Sequence, residues 1–233
     1  MIAIQPIKSS VILISLFAAG CASNVTVAIP TIPRPHIEKL PMDVAVRIPA
    51  DFQNFVHEEN VLGRETWTIN LGSANASFFE QLFGYMFDNV IILGPDDNAL
   101  DHTFDALVEP TIEGFEFSVP NQSKTDAFAV WIRYRMQVFD SLGNSASTWT
   151  VSAYGKSQKA GGGSKSLQRA AVLAMRDAAA LILLQMDKST KIGKLADGPL
   201  DLSEMGSSAT VGSNADEQDD APVSIFAIGG IDE

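Results

Sequence analysis

Residues 126–156 read Asp-Ala-Phe-Ala-Val-Trp-Ile-Arg-Tyr-Arg-Met-Gln-Val-Phe-Asp-Ser-Leu-Gly-Asn-Ser-Ala-Ser-Thr-Trp-Thr-Val-Ser-Ala-Tyr-Gly-Lys, the clearest alternation of apolar and polar side chains in the chain. Every second residue over 128–138 is apolar, which is the period of a β-strand with one buried face. Residues 140–144 have the composition of a turn, and the alternation resumes over 149–153. The stretch therefore predicts a long antiparallel hairpin.

Shorter patterns on either side of this hairpin predict further elements. Alternation over residues 44–48 and 65–71 predicts two strands. A capping-box pattern over residues 77–80 opens a run whose apolar side chains recur at helical spacing. That run continues to Phe87 and predicts a helix with one wide apolar face. Residues 167–186 carry small and apolar side chains on one face, and they predict a second helix after the hairpin.

The segment between the first helix and the hairpin contains an irregularity. The apolar phase that starts at Phe104 slips by one residue near Glu113 and Gly114, which predicts a β-bulge or a break between two strands. Pro110 predicts a sheet edge at its position. The whole order of elements predicts an α+β fold, a two-layer sandwich with a mostly antiparallel sheet and two helices on one face.

Composition divides the chain into four parts. Residues 1–20 are predicted to be a signal peptide, 21–41 a proline-rich tether, 42–194 the α+β domain and 195–233 an acidic flexible tail. The tail contains an apolar patch at residues 223–228. This patch either adds a strand to a neighbour's sheet edge or belongs to the flexible tail.

The N-terminal segment has the parts of a secretory signal. Lys8 supplies a positive charge, an apolar run follows over residues 11–19, and Gly20 precedes Cys21, the only cysteine in the chain. A bilayer-spanning helix needs about 20 apolar residues, so this run is too short to be one.

Residues 16–21, Leu-Phe-Ala-Ala-Gly-Cys, resemble the lipobox of bacterial lipoproteins. The resemblance implies cleavage between Gly20 and Cys21 and attachment of fatty acyl chains such as palmitate to Cys21, the new N-terminus. Two or three such chains hold a protein firmly to a membrane. Ala22 follows the cysteine in place of the Asp that retains many Gram-negative lipoproteins at the inner membrane. The resemblance therefore implies an outer-membrane location that faces the periplasm.

The charge of the chain limits its partners. The formal net charge is −12, and loss of Lys8 with the signal peptide makes it −13. Because nucleic-acid-binding domains are basic, we expect no nucleic-acid partner. An acidic domain is also repelled by anionic head groups, so the lipid on Cys21 is expected to provide the membrane attachment. With no second cysteine there is no internal disulfide, and we expect no metal or cofactor beyond the covalent lipid.

One predicted surface has the composition of a binding site. On the polar side of the first hairpin strand lie Trp131, Arg133 and Arg135, and the second strand adds Tyr154. If the helices cover only the other side, this face is open. We expect it to bind a phosphate-bearing lipid, a glycan or an acidic protein partner, the alternative being an ordinary solvated sheet face with paired charges.

Two patterns relate to catalysis. Residues 161–166, Gly-Gly-Gly-Ser-Lys-Ser, partly match a phosphate-binding loop, but Ser164 stands where that motif has glycine. A flexible connection with Ser164 or Ser166 as the helix N-cap is the alternative. Glu109 and Glu113 are spaced to share a strand face as paired carboxylates, although the predicted bulge intervenes. The sequence contains no other catalytic arrangement, so we expect no catalytic residues.

The layout of anchor, tether, small sandwich and tail is similar to that of small accessory lipoproteins of the bacterial envelope. Those include the lipopolysaccharide-assembly lipoprotein, auxiliary lipoproteins of ABC transporters and lipoproteins with a TolB N-terminal-type domain. The resemblance implies a non-enzymatic accessory protein that binds a protein partner or lipid substrate within a transport or assembly complex. The alternatives are an envelope hydrolase or nucleotide-binding enzyme, and a structural ring subunit.

Overall fold

A computed structural model of the protein describes residues 21–201 except 124, 160, 188 and 189. The chain divides into a unit over Met1–Leu200 and a second unit, Asp201–Glu233, of which only Asp201 is described. The predicted signal peptide and nearly all of the predicted acidic tail, including the patch at 223–228, therefore lie outside the described residues.

The described part contains eight strands and five helices. The strands are β1 Cys21–Thr26, β2 Leu40–Arg47, β3 Val56–Val61, β4 Glu65–Asn70, β5 Phe87–Leu93, β6 Ala106–Ser118, β7 Ala127–Asp140 and β8 Ser145–Gln158. The helices are α1 Ala50–Gln53, α2 Gly72–Met86, α3 Pro120–Ser123, α4 Gly163–Asp187 and α5 Thr190–Gly193, with short 3-10 turns at Ala99–Asp101 and Lys194–Asp197.

The predicted hairpin forms one edge of the larger sheet, with β8 as the outermost strand. β7 and β8 pair along almost their whole length in antiparallel register, joined by a turn after Asp140. β6 pairs antiparallel to β7, with a register shift between Ile112 and Gly114 that confirms the predicted bulge. β2 pairs with only the first residues of β6, so Pro110 lies beyond that pairing, at the edge predicted for it.

The sheet is not mostly antiparallel, and it is not the only one, so both of those predictions are wrong. The larger sheet has the order β5-β2-β6-β7-β8, in which β2 is parallel to both of its neighbours. α2 lies in the connection between β2 and β5 and returns the chain to the end from which β2 started, which makes that pairing parallel. A second, three-stranded sheet has the order β1-β4-β3, with β1 parallel to β4. The fold is α+β in outline, with two mixed sheets.

Aromatic and small side chains make different contacts between helices and sheet. Phe78 and Phe79 of α2 pack their rings against the buried ring of Tyr134 in β7. The Tyr134 hydroxyl donates a hydrogen bond of 2.8 Å to Asn75 Oδ1 in the same helix. At β8, the backbone of α4 lies directly over Gly155, whose missing side chain permits that approach. Tyr134, which contacts α2, lies opposite Val151 in the register, and Gly155, which contacts α4, is on the same face of β8 as Val151. Both helices therefore contact the same sheet face.

Residues 21–41, predicted to be a tether, are instead packed on the domain. Its first six residues form β1, and Val25, Val27 and Ile32 are buried. The segment then lies along α4, where Gln168 Nε2 donates to the Thr26 carbonyl at 3.0 Å and Arg176 Nε donates to the Thr31 carbonyl at 3.1 Å. The prolines indicated an extended chain, but three apolar side chains in the segment make docking favourable.

Candidate functional site

The register of β7 and β8 places two exposed aromatic side chains next to each other. Trp131 is directly opposite Tyr154, and their ring centroids are 5.0 Å apart at an interplanar angle of 44°. Trp131 is 43% exposed and Tyr154 is 42% exposed, while the residues that alternate with them are buried. We call this pair the aromatic platform. It lies on the sheet face opposite the helices.

The two arginines beside the platform have different surroundings. Arg135 Nε lies 2.6 Å from Glu113 Oε1, so this guanidinium is held in an ion pair. Arg133 has no ion-pair partner among the described residues. It lies opposite Gly114 on β6 and Ser152 on β8, which are small and leave its side chain exposed. Of the four residues predicted for this surface, Trp131, Arg133 and Tyr154 are therefore available, and Arg135 is already paired.

A groove of about 340 Å³ runs beside the platform. Arg133 contributes positive charge to its lining, but Glu113 and Glu116 contribute negative charge. Glu116 is the residue on β6 opposite Trp131, so it lies at the platform itself. Glu113 is neutralised by Arg135, but Glu116 has no ion-pair partner among the described residues and opposes binding of a phosphate group, because it repels an anion across a short distance.

The outer face is only partly open. Residues 94–105, which connect β5 to β6, lie over one part of it, and Phe104 packs there on a small apolar cluster. Leu93 and Leu107 are the large buried members of this cluster, and Phe139 packs against it from β7. The face opposite the helices, predicted to be open, is therefore open only around the platform.

The two glutamates considered as paired carboxylates do not act together. Arg47 Nη1 lies 2.6 Å from Glu109 Oε1, whereas Glu113 pairs with Arg135. The bulge between Ile112 and Gly114 separates their positions along β6. Each carboxylate therefore neutralises its own arginine.

The glycine-rich segment before α4 packs on aromatic rings. A side chain at Gly163 would lie 3.2 Å from Trp67 and 3.4 Å from Phe128, so these rings account for a glycine there. Neither proposed serine is the N-cap, because α4 begins at Gly163 and Ser166 lies inside its first turn, donating to the Gly162 carbonyl. Packing against Trp67 and Phe128 therefore accounts for the glycine at position 163.

A second groove, of about 630 Å³, was not predicted from the sequence. It lies where residues 37–41 meet the C-terminal ends of α2 and α4, and Met86, Leu183 and Met186 line it. The apolar run at residues 181–184 was the only sequence signal for it. Its other wall comes from the segment predicted to be a tether, so the groove was not foreseeable from local patterns.

Cys21 is the first residue of β1, and its backbone pairs with that of Glu65 at the start of β4. None of the helices in the described part of the chain is long and apolar enough to span a membrane. Within the same described residues, no group of three or more His, Cys, Asp or Glu side chains is arranged to hold a metal ion.

No protein-family model matches the sequence, and no curated protein matches it. Solved structures with similar folds include bacterial lipoproteins. Protein XCC0632 from Xanthomonas campestris, of the family DUF330, has a TM-score of 0.48 and 12% identity, over 72% of this chain and 100% of that one. Lipoprotein B from Nitrosomonas europaea, described as uncharacterized, has a TM-score of 0.42 and 12% identity over 73% and 99%. Lipoprotein GNA1162 from Neisseria meningitidis has a TM-score of 0.32 and 14% identity over 64% and 100%.

Proposed function

We propose that the protein is a non-enzymatic accessory lipoprotein, anchored by lipid on Cys21 in the outer membrane and facing the periplasm. The motif over residues 16–21 supports the anchor, because its thiol and preceding small residues suit lipidation and cleavage. Ala22 after the cysteine supports the outer membrane. The accessory role is to bind a protein partner in a transport or assembly complex of the envelope.

The aromatic platform with Arg133 is the observation that carries this proposal. Trp, Tyr and Arg are the residue types that contribute most of the binding energy at protein interfaces. Here all three lie on adjacent positions of two paired strands, so the backbone pairing fixes their spacing. Exposed aromatic side chains gain most when a partner covers them, because their large apolar area then leaves water.

A protein partner fits the surface better than a phosphate-bearing lipid or a glycan phosphate. Glu116 lies beside Arg133 in the groove and would repel a phosphate, and Glu113 is already paired with Arg135. A protein surface can instead place an acidic group over Arg133 and donors over the glutamates. Such mixed charge complementarity sets specificity and association rate more than raw affinity.

Metabolic labelling with a palmitate analogue tests the anchor. The full-length protein should incorporate label and remain with membranes, whereas the Cys21→Ala variant should carry none, because the thiol that accepts the lipid is gone. Label that persists in Cys21→Ala would overturn the lipid anchor on this residue.

Affinity purification from native membranes tests the platform. Trp131→Ala combined with Arg133→Glu should reduce recovery of the partner at least about tenfold, since central interface residues each contribute about 2 kcal/mol or more. Arg34→Glu combined with Leu142→Ala is the matched control, because both residues are exposed and lie away from the platform. Equal partner recovery from the two double variants would rule out this surface.

The non-enzymatic role is tested by ligand-dependent stability. A ligand that binds only the native state raises the free energy of unfolding by RT ln(1 + L/Kd), where L is the free ligand concentration. We expect saturating nucleotide to leave the melting temperature of the purified protein unchanged. A clear rise would favour a nucleotide-binding protein and would direct attention to residues 161–166.

A further inference from the structure

The turn between β3 and β4 presents a leucine at its tip. Leu62 and Gly63 have φ angles of +54° and +66°, and Arg64 N donates to the Val61 carbonyl at 3.1 Å. The two positive φ angles and this hydrogen bond match a type I′ turn, and the register leaves three loop residues, 62–64, between the paired Val61 and Glu65. The Leu62 side chain is 62% exposed, while Val61 beside it is buried.

Two physical preferences oppose leucine at this position. The left-handed region is unfavourable for a residue with a branched side chain, and type I′ turns favour Asn, Asp or Gly at the first central position. The Leu62 side chain is left in water, so burial within the domain does not offset the unfavourable backbone conformation. Strained backbone that the fold does not require is characteristic of functional positions. An apolar contact outside the domain would account for this leucine.

The register places the turn beside the N-terminus of β1. Glu65 pairs with Val61 on β3 and with Cys21 on β1, so three strands have these residues side by side. Neighbouring strands lie about 5 Å apart, so Cys21 is about two strand spacings from Val61. Because no tether separates Cys21 from the sheet, acyl chains on this residue would bring the turn to the bilayer surface.

The two ends of the domain differ in charge: the end that holds the β3–β4 turn carries both signs, with Glu65 and Asp126 among its acidic residues, whereas the opposite end is acidic. Arg64 lies in the turn itself, and the loop before α4, which packs on Trp67 of β4 through Gly163, is flanked by the exposed Lys159 and Lys165. Residues 94–105, near the opposite end of β7, contain four aspartates and no lysine or arginine. Basic residues within a Debye length of an anionic membrane surface are attracted to it, and acidic ones are repelled.

We propose that the β3–β4 turn is a second membrane contact, at which Leu62 enters the interface between head groups and acyl chains and Arg64 and Lys159 contact anionic head groups. This inference rests on the proposed lipid anchor at Cys21. It specifies which end of the domain faces the bilayer.

Site-specific labelling of the lipidated protein tests the contact. Once Cys21 carries its thioether-linked lipid, Leu62→Cys introduces the only free thiol, which accepts a fluorescent or nitroxide label. Leu142→Cys is the matched control, because Leu142 is also an exposed hairpin-turn leucine and lies beyond the C-terminal end of β7, a strand that spans roughly 40 Å. Both proteins are reconstituted into phosphatidylcholine vesicles that contain roughly one third phosphatidylglycerol.

We expect lipid-borne quenchers near the head groups to quench the label at position 62 several-fold more than the label at 142. A water-soluble quencher should show the reverse order. If the protein floats with the vesicles and both labels are equally accessible to water, the membrane contact is overturned while the lipid anchor stands. If the protein does not float, the anchor and the contact are both overturned.

A charge variant tests the basic residues. Arg64→Glu combined with Lys159→Glu should lower the lipid quenching of the label at position 62 at least twofold in the anionic vesicles. The same variant should have little effect in pure phosphatidylcholine. Arg34→Glu combined with Lys39→Glu makes the same change of net charge elsewhere and should leave the quenching unchanged. Equal loss in both double variants would mean that net charge, and not this end of the domain, governs the approach.

Discussion

Gly155 sets the distance between α4 and β8. A Cβ atom at this position would overlap the backbone carbonyl of Ala170 and the backbone nitrogen of Ala174. Neither backbone atom can move without shifting the helix. The close approach of α4 to β8 therefore requires a glycine at position 155 as well as small side chains on that face of the helix.

Replacing this glycine should be strongly destabilising. Overpacking in a core typically costs about 1–3 kcal/mol, and overlap with backbone atoms places Gly155→Ala at or above the upper end of that range. Gly84→Ala in α2 is the control, because nothing lies within 4 Å of its added Cβ. Helix propensity predicts that this control is neutral or more stable by up to about 1 kcal/mol. Urea unfolding measures both.

Leu62 should be unfavourable for stability. Leu62→Asn keeps the turn but replaces a residue that costs roughly 1–2 kcal/mol in the left-handed region with one that tolerates it. We expect the free energy of unfolding to rise by up to about 1 kcal/mol, measured by urea unfolding in the absence of membranes. A decrease would show that the leucine makes stabilising contacts within the domain.

Residue patterns predicted the face on which the platform lies, but not that Arg135 forms an ion pair while Arg133 does not. Alternation in β7 placed Trp131, Arg133 and Arg135 on the same face, and this is the face on which they lie. The ion pair between Arg135 and Glu113 depends on where the bulge in β6 places Glu113. A phase slip indicates that a bulge exists, but the direction of a bulged side chain follows only from the paired strands.

At the scale of elements, the β7–β8 turn is organised by one buried carboxylate. Asp140 Oδ1 accepts hydrogen bonds from the backbone nitrogens of Leu142 and Asn144, at 3.0 and 2.7 Å. Its Oδ2 accepts from Asn144 Nδ2 at 2.9 Å and from the backbone nitrogen of Leu200 at 3.1 Å. Burial raises the pKa of Asp140, but these hydrogen bonds outweigh that effect and hold the pKa below its ordinary value.

This lowered pKa predicts a pH dependence of stability. The ionised carboxylate stabilises the fold above the pKa it has in the unfolded chain, about 3.9, and that contribution is lost as the pH falls further toward the folded value. Asp140→Asn should be less stable by about 1–3 kcal/mol at neutral pH. The difference between the two proteins should narrow below about pH 4. A difference that is constant from pH 7 to pH 3 would contradict this role.

Elements with strong local patterns were predictable, and those that depend on neighbours were not. The hairpin, β2, β4 and α4 follow from alternation or helical spacing. β1 and β3 have few apolar residues and become strands because each pairs with β4. α2 begins at Gly72, five residues before the predicted capping box, because Leu71 and Ala74 are buried against the rest of the domain.

For the whole molecule, the docked segment before β2 determines how the domain is held. Ile32 is 5% exposed and Ile29 in the same segment is 54% exposed. Ile32→Ala should lower the free energy of unfolding by about 2–4 kcal/mol, as for other buried isoleucines. Ile29→Ala should change it by less than about 0.5 kcal/mol. Equal small effects in urea unfolding would mean that this segment is a free tether after all.

The arrangement of the sheets could not be derived from the sequence, because it also depends on contacts between distant parts of the chain. A strand pattern shows which side chains are buried, but parallel and antiparallel neighbours of β2 leave the same alternation. The connection through α2 decides the direction of β5, and a second sheet exists because β3 and β4 pair with each other apart from the larger sheet, with β1 added by its long-range pairing with β4. Both are properties of the assembled chain.

The pairing of Cys21 within β1 has a consequence for maturation. A peptidase that cleaves before this residue needs its substrate in an extended and unpaired form, whereas β1 in the folded domain is bonded to β4 along all six of its residues. In a chain processed at Cys21, lipidation and cleavage must therefore precede the docking of β1. Pairing of β1 with β4 before processing would then compete with cleavage at Cys21.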